Sequence, residues 1–200
     1  MPPRQKSGVR SGRPNDAWGE RAKREGYPAR SVYKLEEIDR RARIFRQGQR
    51  VLDLGAFPGS WSLYAGKKVG GNGRVVGIDI QPPRGEFPKN IDMRHGDINA
   101  ITVEELGEFD VVISDMAPST NGTRSSDQFR SFELFMAALE AAKKVLVPKG
   151  HFVGKIFQGG EFPDAQKAMR DVFETVRIIK PEASRQESYE TFLIGLSKKS

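Results

Sequence analysis

A lysine interrupts an otherwise apolar segment of the sequence. Residues 152–157 read FVGKIF and follow the turn residues 148–150, a pattern that predicts a buried β-strand with Lys155 near its carboxyl end. Burial disfavours the charged form of a lysine, and a second cation nearby adds to this effect, so Lys155 is a candidate general base. If neighbouring acids keep it charged, Lys155 instead stabilises a developing oxyanion. The structural alternative is a lysine whose amine reaches solvent from an edge strand.

Acidic residues and glycines mark the ends of four other predicted strands. These residues are Gly55, Asp79, Asp97 and Asp115. In doubly wound sheets the carboxyl ends of parallel strands share one edge, and ligands bind there at the point where the strand order reverses. The sequence therefore predicts one ligand site to which all four positions contribute, although acids at strand ends also serve as turn caps.

The loop after the first strand has the glycine spacing Gly55-x-x-x-Gly59, which differs from the G-x-G-x-x-G of dinucleotide-binding folds. It has no basic residue to meet a phosphate, so a cofactor with a cationic end and no phosphate fits better than NAD. Asp79 is placed to accept hydrogen bonds from a ribose diol, and Asp97 to meet an adenine amino group. An adenosine that bears a cation and no phosphate is S-adenosylmethionine (SAM). Trp61, just beyond the loop, is either a neighbour of this cofactor or a packing residue.

The elements that position these residues alternate between strand and helix. Alternation of this kind is typical of a doubly wound α/β sheet. No helical pattern separates the last two predicted strands, which indicates an antiparallel hairpin at one edge, and Ser31 is expected to cap the first helix. The predicted strands are residues 50–55, 74–79, 91–95, 110–115, 150–157, 176–180 and 191–196, and the predicted helices are residues 31–45, 61–69, 129–147 and 165–173.

Positive charge is concentrated in the first quarter of the chain. Residues 1–50 hold 14 Lys and Arg against 6 Asp and Glu, whereas the remaining residues hold 19 against 20. Segregated basic charge favours a polyanionic partner, most often a nucleic acid, and the alternative is a solvated tail that only aids solubility. From this composition we expect residues 1–27 to form a basic, largely disordered segment and residues 28–200 to form a single domain.

The composition argues against several other classes of protein. The 200 residues include no cysteine and two histidines, so neither a disulfide nor a metal centre is expected. The longest apolar runs fall far short of the roughly 18 residues of a membrane span, and no apolar signal segment follows the first residues. We therefore expect a cytoplasmic protein without a membrane partner, and a monomer, because no further apolar face is evident.

Five stretches of the chain match the motifs of one known family and occur in that family's order. They are SVYKL at residues 31–35, DLGAFPGSWS at 53–62, SDMAP at 114–118, KIFQG at 155–159, and residues 184–190, which begin with Ser-Arg and end with Glu. In these stretches the chain resembles the FtsJ-like family of RNA 2′-O-ribose methyltransferases, also called the heat-shock ribosomal RNA methyltransferase E family, and the resemblance spans roughly residues 28–197. It implies that residues 28–200 form a single methyltransferase domain with a Rossmann-like class I SAM-dependent fold, a seven-stranded, mostly parallel sheet and a C-terminal antiparallel hairpin.

The resemblance also implies a catalytic Lys-Asp-Lys-Glu tetrad. Carried over to this sequence, its members are Lys34, Asp115, Lys155 and Glu190. The SAM contacts that the family implies are Gly59, Trp61, Asp79, Asp97 and Asp115. Two positions depart from the family pattern, since Phe57 replaces a small residue and Ser60 replaces a second glycine, and both departures affect the shape of the methionine pocket.

By resemblance, the substrate is a uridine of large-subunit ribosomal RNA, methylated on its ribose 2′-hydroxyl, a group that DNA lacks. The runner-up is a ribose in a transfer RNA anticodon loop. Two hypotheses from other classes stay open, namely a non-catalytic RNA-binding assembly factor on the same fold and, less favoured, an NAD-dependent oxidoreductase.

Overall fold

Seven strands form one mixed sheet in the computed structural model, which describes residues 17–100, 102–119, 122–184 and 188–200. The strands are β1 (Arg50–Leu54), β2 (Arg74–Asp79), β3 (Ile91–His95), β4 (Phe109–Ser114), β5 (Leu146–Phe157), β6 (Phe173–Ile179) and β7 (Glu190–Lys198). Their spatial order is β3-β2-β1-β4-β5-β7-β6. The two pairs that involve β7 are antiparallel, and the other pairs within the described residues are parallel.

The direction of the strand order reverses between β1 and β4. The chain builds β2 and β3 on one side of β1, and β4 and β5 on the other. This reversal creates the switch point at which ligands bind beyond the carboxyl ends of parallel strands. At the far side the hairpin of β6 and β7 completes the sheet, with β7 inserted between β5 and β6. The predicted fold class, including the C-terminal antiparallel hairpin, is confirmed.

Helices cover both faces of the sheet, so the central strands are mostly apolar and do not alternate with polar residues. Val51 and Val153 pack in a cluster with residues of the second and third helices, whereas Leu52 and Phe152 pack on the opposite face with residues of the fourth and fifth. None of the described helices is long and apolar enough to cross a membrane. The helices are α1 (Ala17–Arg24), α2 (Val32–Ala42), α3 (Ser60–Val69), α4 (Arg124–Val145) and α5 (Phe162–Val172), with a short 3-10 helix at Val103–Leu106.

Helix α2 differs from the prediction at both ends. Ser31 has helical backbone angles and its side chain makes no capping hydrogen bond within the described residues, so the predicted cap is wrong. The helix ends at Ala42, before the predicted end at residue 45, because Arg43 adopts a left-handed conformation (φ 54°). Its N–H then bonds to the carbonyl of Asp39, which closes the helix.

Helix α1 lies inside the segment predicted to be largely disordered, so that prediction is wrong for residues 17–24, while residues 1–16 lie outside the described residues. The Trp18 and Tyr33 rings lie 5.1 Å apart, and the Arg21 guanidinium lies 4.3 Å from the centre of the Tyr33 ring. The Tyr33 hydroxyl donates a 3.0 Å hydrogen bond to Glu25. These contacts with α2 stabilise a helix whose few apolar residues gave no clear periodic signal in the sequence.

Candidate active site

A cavity of about 470 Å³ opens at the carboxyl ends of β1, β2 and β4, where the strand order reverses. Its volume falls in the range of sites that hold a small molecule. Three of the described lining residues are aspartates and none is a lysine or an arginine, so we name this feature the acid-lined cavity. It is lined by Gly55, Phe57, Ile78, Asp79, Ile80, Gln81, Gly96, Asp97, Ile98, Asn99, Asp115, Met116, Ala117 and Leu134.

Gly55 forms part of the cavity wall, and its position admits no larger residue. Its φ is +75°, and a Cβ at this position would lie 2.3 Å from the Cγ of Met116. Gly59 ends the same loop with a φ of +105°, and a Cβ there would lie 2.5 Å from the Phe87 ring. Both predicted glycines are therefore required by the backbone, but Gly59 lies outside the cavity lining, so its contact with a cofactor stays a prediction.

Asp79 and Asp97 line the cavity and also hold the turns in which they lie. The two carboxylate oxygens of Asp79 accept hydrogen bonds from the N–H groups of Phe57 (2.9 Å) and Gln81 (2.7 Å). One oxygen of Asp97 accepts from the backbone and side-chain nitrogens of Asn99, at 2.9 and 3.0 Å. Each ionised carboxylate has about four acceptor positions. Both can therefore serve as turn caps and still accept hydrogen bonds from a ligand.

Asp53 is a buried acid beneath the cavity that was not among the predicted site residues. It is 1% exposed, and its carboxylate accepts a 2.6 Å hydrogen bond from the Ser62 hydroxyl. Burial raises the pKa of Asp53 to about 7, and the nearby charges of Asp115 and Asp79 add to this rise, while the hydrogen bond from Ser62 opposes it. The position of an acid within a predicted strand does not indicate whether its side chain is buried, so the burial of Asp53 is evident only from the structure.

Lys155 is buried and points at the residue that follows β4. Its amine donates a 2.5 Å hydrogen bond to the main-chain carbonyl of Asp115 and lies 2.9 Å from the Oδ1 of the same residue. The approach to Oδ1 is close enough for an ion pair, but it lacks hydrogen-bond geometry, and this buried oxygen has no other partner within the described residues. Because the energy of an ion pair depends weakly on angle, the 2.9 Å separation makes Lys155 and Asp115 an ion pair.

Lys34 and Glu190 form a second pair beside the first. The amine of Lys34, in the first turn of α2, lies 2.7 Å from Oε1 of Glu190 at the start of β7. The Ser184 hydroxyl donates a 3.0 Å hydrogen bond to the same oxygen, which fixes the carboxylate from a second side. Ser184 was quoted in the family stretch but received no role there. A cleft of about 260 Å³ lies next to this pair, lined by Arg30, Ser31, Lys34, Ser188 and Glu190.

The register of the sheet places both pairs on the same face. In the antiparallel pair of β5 and β7, Lys155 lies opposite Phe192 and Phe157 lies opposite Glu190. Residues two apart on a strand share a face, as do residues directly opposite each other on paired strands. Lys155 and Glu190 therefore lie on paired strands, two residues apart in register, and both side chains project towards the face of the sheet covered by α2. We name the four residues of the two pairs, Lys34, Asp115, Lys155 and Glu190, the tetrad.

Trp61 is the predicted site residue that the structure separates most clearly from the cavity. It is 3% exposed, its ring lies 5.7 Å from that of Phe192, and its indole N–H donates a 2.9 Å hydrogen bond to the carbonyl of Ser31. It lies outside the cavity lining, so a role in binding SAM stays a prediction. Four predicted residues do line the cavity, and they are Gly55, Asp79, Asp97 and Asp115.

Apolar lining residues such as Ile98 and Met116 were not predicted, because a hydrophobic residue beside a strand end is indistinguishable from a core residue in the sequence. The described residues contain no group of three or more His, Asp or Glu side chains that could hold a metal ion.

The strand order, the cavity at the switch point and the lysine–carboxylate pairs together define a Rossmann-like methyltransferase of class I. A solved ribosomal RNA methyltransferase of Plasmodium falciparum superposes with a TM-score of 0.74 at 22% identity, over 86% of this chain and 98% of that one. Fibrillarin of Aeropyrum pernix, solved with bound SAM, superposes with a TM-score of 0.52 at 15% identity, over 76% and 67%. At these identities the two comparisons show the fold.

The sequence comparisons identify the family. The model of the FtsJ-like methyltransferase family matches residues 27–198. The ribosomal RNA large subunit methyltransferase E of Sorangium cellulosum is 51% identical over 187 residues, which cover 92% of this chain and 88% of the relative. That of Oleidesulfovibrio alaskensis is 52% identical over 185 residues, with coverage of 90% and 89%. The chain belongs to the FtsJ-like methyltransferase family, and the resemblance seen in its sequence motifs is confirmed.

Proposed function

We propose that this protein transfers the methyl group of SAM to the 2′-hydroxyl of a ribose in RNA, and that its target is a uridine of large-subunit ribosomal RNA. One observation carries the proposal. Asp115 lines the acid-lined cavity and also pairs with Lys155, so the cofactor cavity and the tetrad meet at one residue. A methyl donor in the cavity and a hydroxyl at the tetrad would thus face each other across Asp115.

The residues of the cavity fit SAM. Three carboxylates without a basic residue suit a ligand that carries a sulfonium cation and no phosphate. Asp79 and Asp97 each retain acceptor capacity for the ribose hydroxyls and the adenine amino group of such a ligand. When bound, SAM supplies an electrophilic methyl group, so the protein has mainly to position the nucleophile and to manage one proton.

Lys155 is the residue best placed to hold the nucleophile. An ammonium has three N–H donors, and the amine of Lys155 donates one of them to the carbonyl of Asp115 while lying 2.9 Å from the carboxylate of the same residue. Another N–H can donate to the 2′-oxygen, which orients it and stabilises the charge that develops as its proton leaves. Lys34, which pairs with Glu190, adds a second positive charge on the same face of the sheet as Lys155.

The alternative role for Lys155 is that of a neutral base, whose amine takes the proton of the 2′-hydroxyl directly. The pH dependence of single-turnover methyl transfer separates the two roles. A rate that rises through an ionisation above neutral pH supports the neutral base, and a rate without that ionisation supports the ammonium.

The choice of substrate rests on charge and on family. The first 50 residues carry an excess of eight basic residues over acidic ones, which suits a polyphosphate chain. The relatives from Sorangium cellulosum and Oleidesulfovibrio alaskensis are named for large-subunit ribosomal RNA. Our proposal includes a cytoplasmic monomer that acts on this RNA within the subunit.

The test is transfer of a labelled methyl group from SAM to isolated ribosomal subunits and to total RNA, followed by mapping of the modified ribose. We expect a 2′-O-methyluridine in large-subunit ribosomal RNA. Label in a transfer RNA anticodon loop would reassign the substrate and keep the reaction. Binding of SAM and RNA without transfer to any RNA would contradict the enzyme and favour an assembly factor.

A further inference from the structure

Two consecutive residues at the start of α3 are bonded to the backbone that leads into Lys34. Ser60 is the first residue of α3 and is 1% exposed, and its hydroxyl oxygen accepts a 2.8 Å hydrogen bond from the N–H of Ala29. Trp61, the next residue, donates its indole N–H to the carbonyl of Ser31 at 2.9 Å. Both contacts join α3 to the few residues that precede α2.

The Ser31 carbonyl connects Trp61 directly to the lysine of the tetrad. The same oxygen accepts a 3.1 Å hydrogen bond from the main-chain N–H of Lys34. The first turn of α2 also lacks a capping side chain, because the Ser31 hydroxyl makes no cap within the described residues. The two bonds from α3, which starts directly after the glycine loop at Gly59, are therefore among the contacts that fix the position of this turn.

We propose that Ser60 and Trp61 are positioning residues, which hold the first turn of α2 in place relative to the glycine loop (residues 55–59) and so place Lys34 against Glu190. The inference rests on the proposed function, since it assigns a purpose to the placement of Lys34. It assigns Trp61 a role different from the cofactor contact implied by family resemblance. An indole has one polar hydrogen, and here that hydrogen is used on Ser31.

The residue types fit this role. The Ser60 hydroxyl accepts the N–H of Ala29, a bond that a residue without a side-chain acceptor could not make. Trp61 reaches the carbonyl of Ser31 while its ring packs on Phe192, which is directly opposite Lys155 in the sheet. The same side chain therefore contacts both the segment that leads into Lys34 and strand β7, which carries Glu190.

The test compares Trp61→Phe and Ser60→Ala with a control that breaks another bond between the same two helices. Tyr64→Phe is that control, because the Tyr64 hydroxyl donates a 3.0 Å hydrogen bond to Asp39 towards the other end of α2. A shift of about 1 Å in a catalytic group can cost 100-fold in rate. Each variant removes one bond and should loosen the first turn of α2 only in part, so we expect the single-turnover rate to fall about tenfold for Trp61→Phe and about threefold for Ser60→Ala. The rate of Tyr64→Phe should stay within about twofold of the wild type, since its bond lies away from the tetrad.

The dissociation constant for SAM separates positioning from cofactor contact. If Trp61 positions α2, the variants bind SAM within about twofold of the wild type while their rate at saturating SAM falls. Weaker SAM binding with an unchanged saturated rate would overturn the inference and restore the cofactor contact. An equal loss of rate in Tyr64→Phe would overturn it as well, because the effect would then be general loosening of the two helices.

Amide hydrogen exchange without cofactor or RNA gives a readout that does not depend on activity. We expect the exchange rate of the Ala29 amide to rise in Ser60→Ala and that of the Lys34 amide to rise in Trp61→Phe, with neither change in Tyr64→Phe. Unchanged exchange at both amides would overturn the inference. A wild-type protein that methylates no RNA would refute the proposed function, and the exchange measurement would still decide whether these residues hold the turn.

Discussion

The acid-lined cavity and the tetrad lie side by side at one edge of the sheet, but they are built in different ways. In the cavity, Asp79 and Asp97 are fixed by hydrogen bonds to neighbours in the same turns, and Asp79 also accepts one from Phe57 in another loop. In the tetrad, each lysine is fixed by a carboxylate from a distant part of the chain. The cavity is thus assembled from local turns, and the tetrad is assembled by tertiary pairing.

This difference has an energetic consequence. A turn acid that is removed exposes backbone groups at the rim, where water can replace it as a partner. A tetrad residue that is removed leaves its partner's charge in a partly buried place, and such a charge is costly. We therefore expect changes in the cavity to act mainly on SAM affinity and changes in the tetrad to act mainly on rate and stability.

The largest expected effect tests the tetrad side of this comparison. Lys155→Ala removes the group that we propose donates to the 2′-oxygen, so we expect the single-turnover rate to fall by about 10²- to 10⁴-fold, the usual range for a proton-handling residue. SAM affinity, measured by calorimetry, should change little. Lys149→Ala is the matched control, an exposed lysine of the same strand that pairs with Glu174. Full activity of Lys155→Ala would refute the proposed mechanism.

The next largest effect tests the cavity side. Asp79→Ala removes a carboxylate proposed to accept hydrogen bonds from the cofactor, and bonds of this kind contribute about 1.5–3 kcal/mol, or about 10- to 100-fold in SAM affinity. The rate at saturating SAM should fall much less. Asp92→Ala, on the neighbouring strand and outside the cavity lining, is the control. If Asp79→Ala binds SAM as tightly as the wild type, the residue is a turn cap alone.

The variant Glu190→Gln tests how much the pair of Lys34 and Glu190 contributes to the tetrad. The amide keeps an oxygen for the Ser184 hydroxyl but loses the charge opposite Lys34. We expect the rate to fall about tenfold, in line with the loss of one charge-assisted contact. Lys34→Met and the double variant complete a thermodynamic cycle. Rate losses that simply add would show that the two residues act independently and would contradict the pairing.

The smallest effect on rate, and a diagnostic effect on stability, is expected for Asp53→Asn. The pKa of Asp53 is raised to about 7, so between about pH 4 and pH 7 the folded protein holds a proton here that the unfolded chain releases. The contribution of this group to stability is therefore full below about pH 4 and is lost as the pH rises to about 7. Asp53→Asn, which does not titrate, should gain in melting temperature relative to the wild type over that interval.

Asp92→Asn provides the control for this pH dependence. Its hydrogen bonds with Arg94 lower the pKa of Asp92 below its usual value, so the difference between this variant and the wild type should be flat from pH 4 to pH 7. Thermal melts of the three proteins across this interval are the measurement. A flat difference for Asp53→Asn as well would show that Asp53 ionises normally in the folded protein.

Some parts of the site could be predicted because a local pattern encodes them. An apolar run that ends in a turn predicts a strand, and the carboxyl ends of parallel strands meet at one edge, so Asp79, Asp97 and Asp115 could be placed at one cavity. Lys155 could be singled out because it is a charged residue within such a run. The members of the tetrad came from family resemblance and their pairing came from the structure, since no local pattern relates Lys34 to Glu190.

The amino-acid sequence by itself determined the alternation of strands and helices, the glycine loop and the acids at the strand ends, because periodicity and turn chemistry act over a few residues. Only the tertiary structure decided that Trp61 bonds to Ser31, that Ser184 supports Glu190, that Asp53 is buried, and that α1 packs on Tyr33. These features depend on which side chains meet when distant segments pack together. The hydrogen bonds and burial that result are properties of that packing and leave no local pattern in the chain.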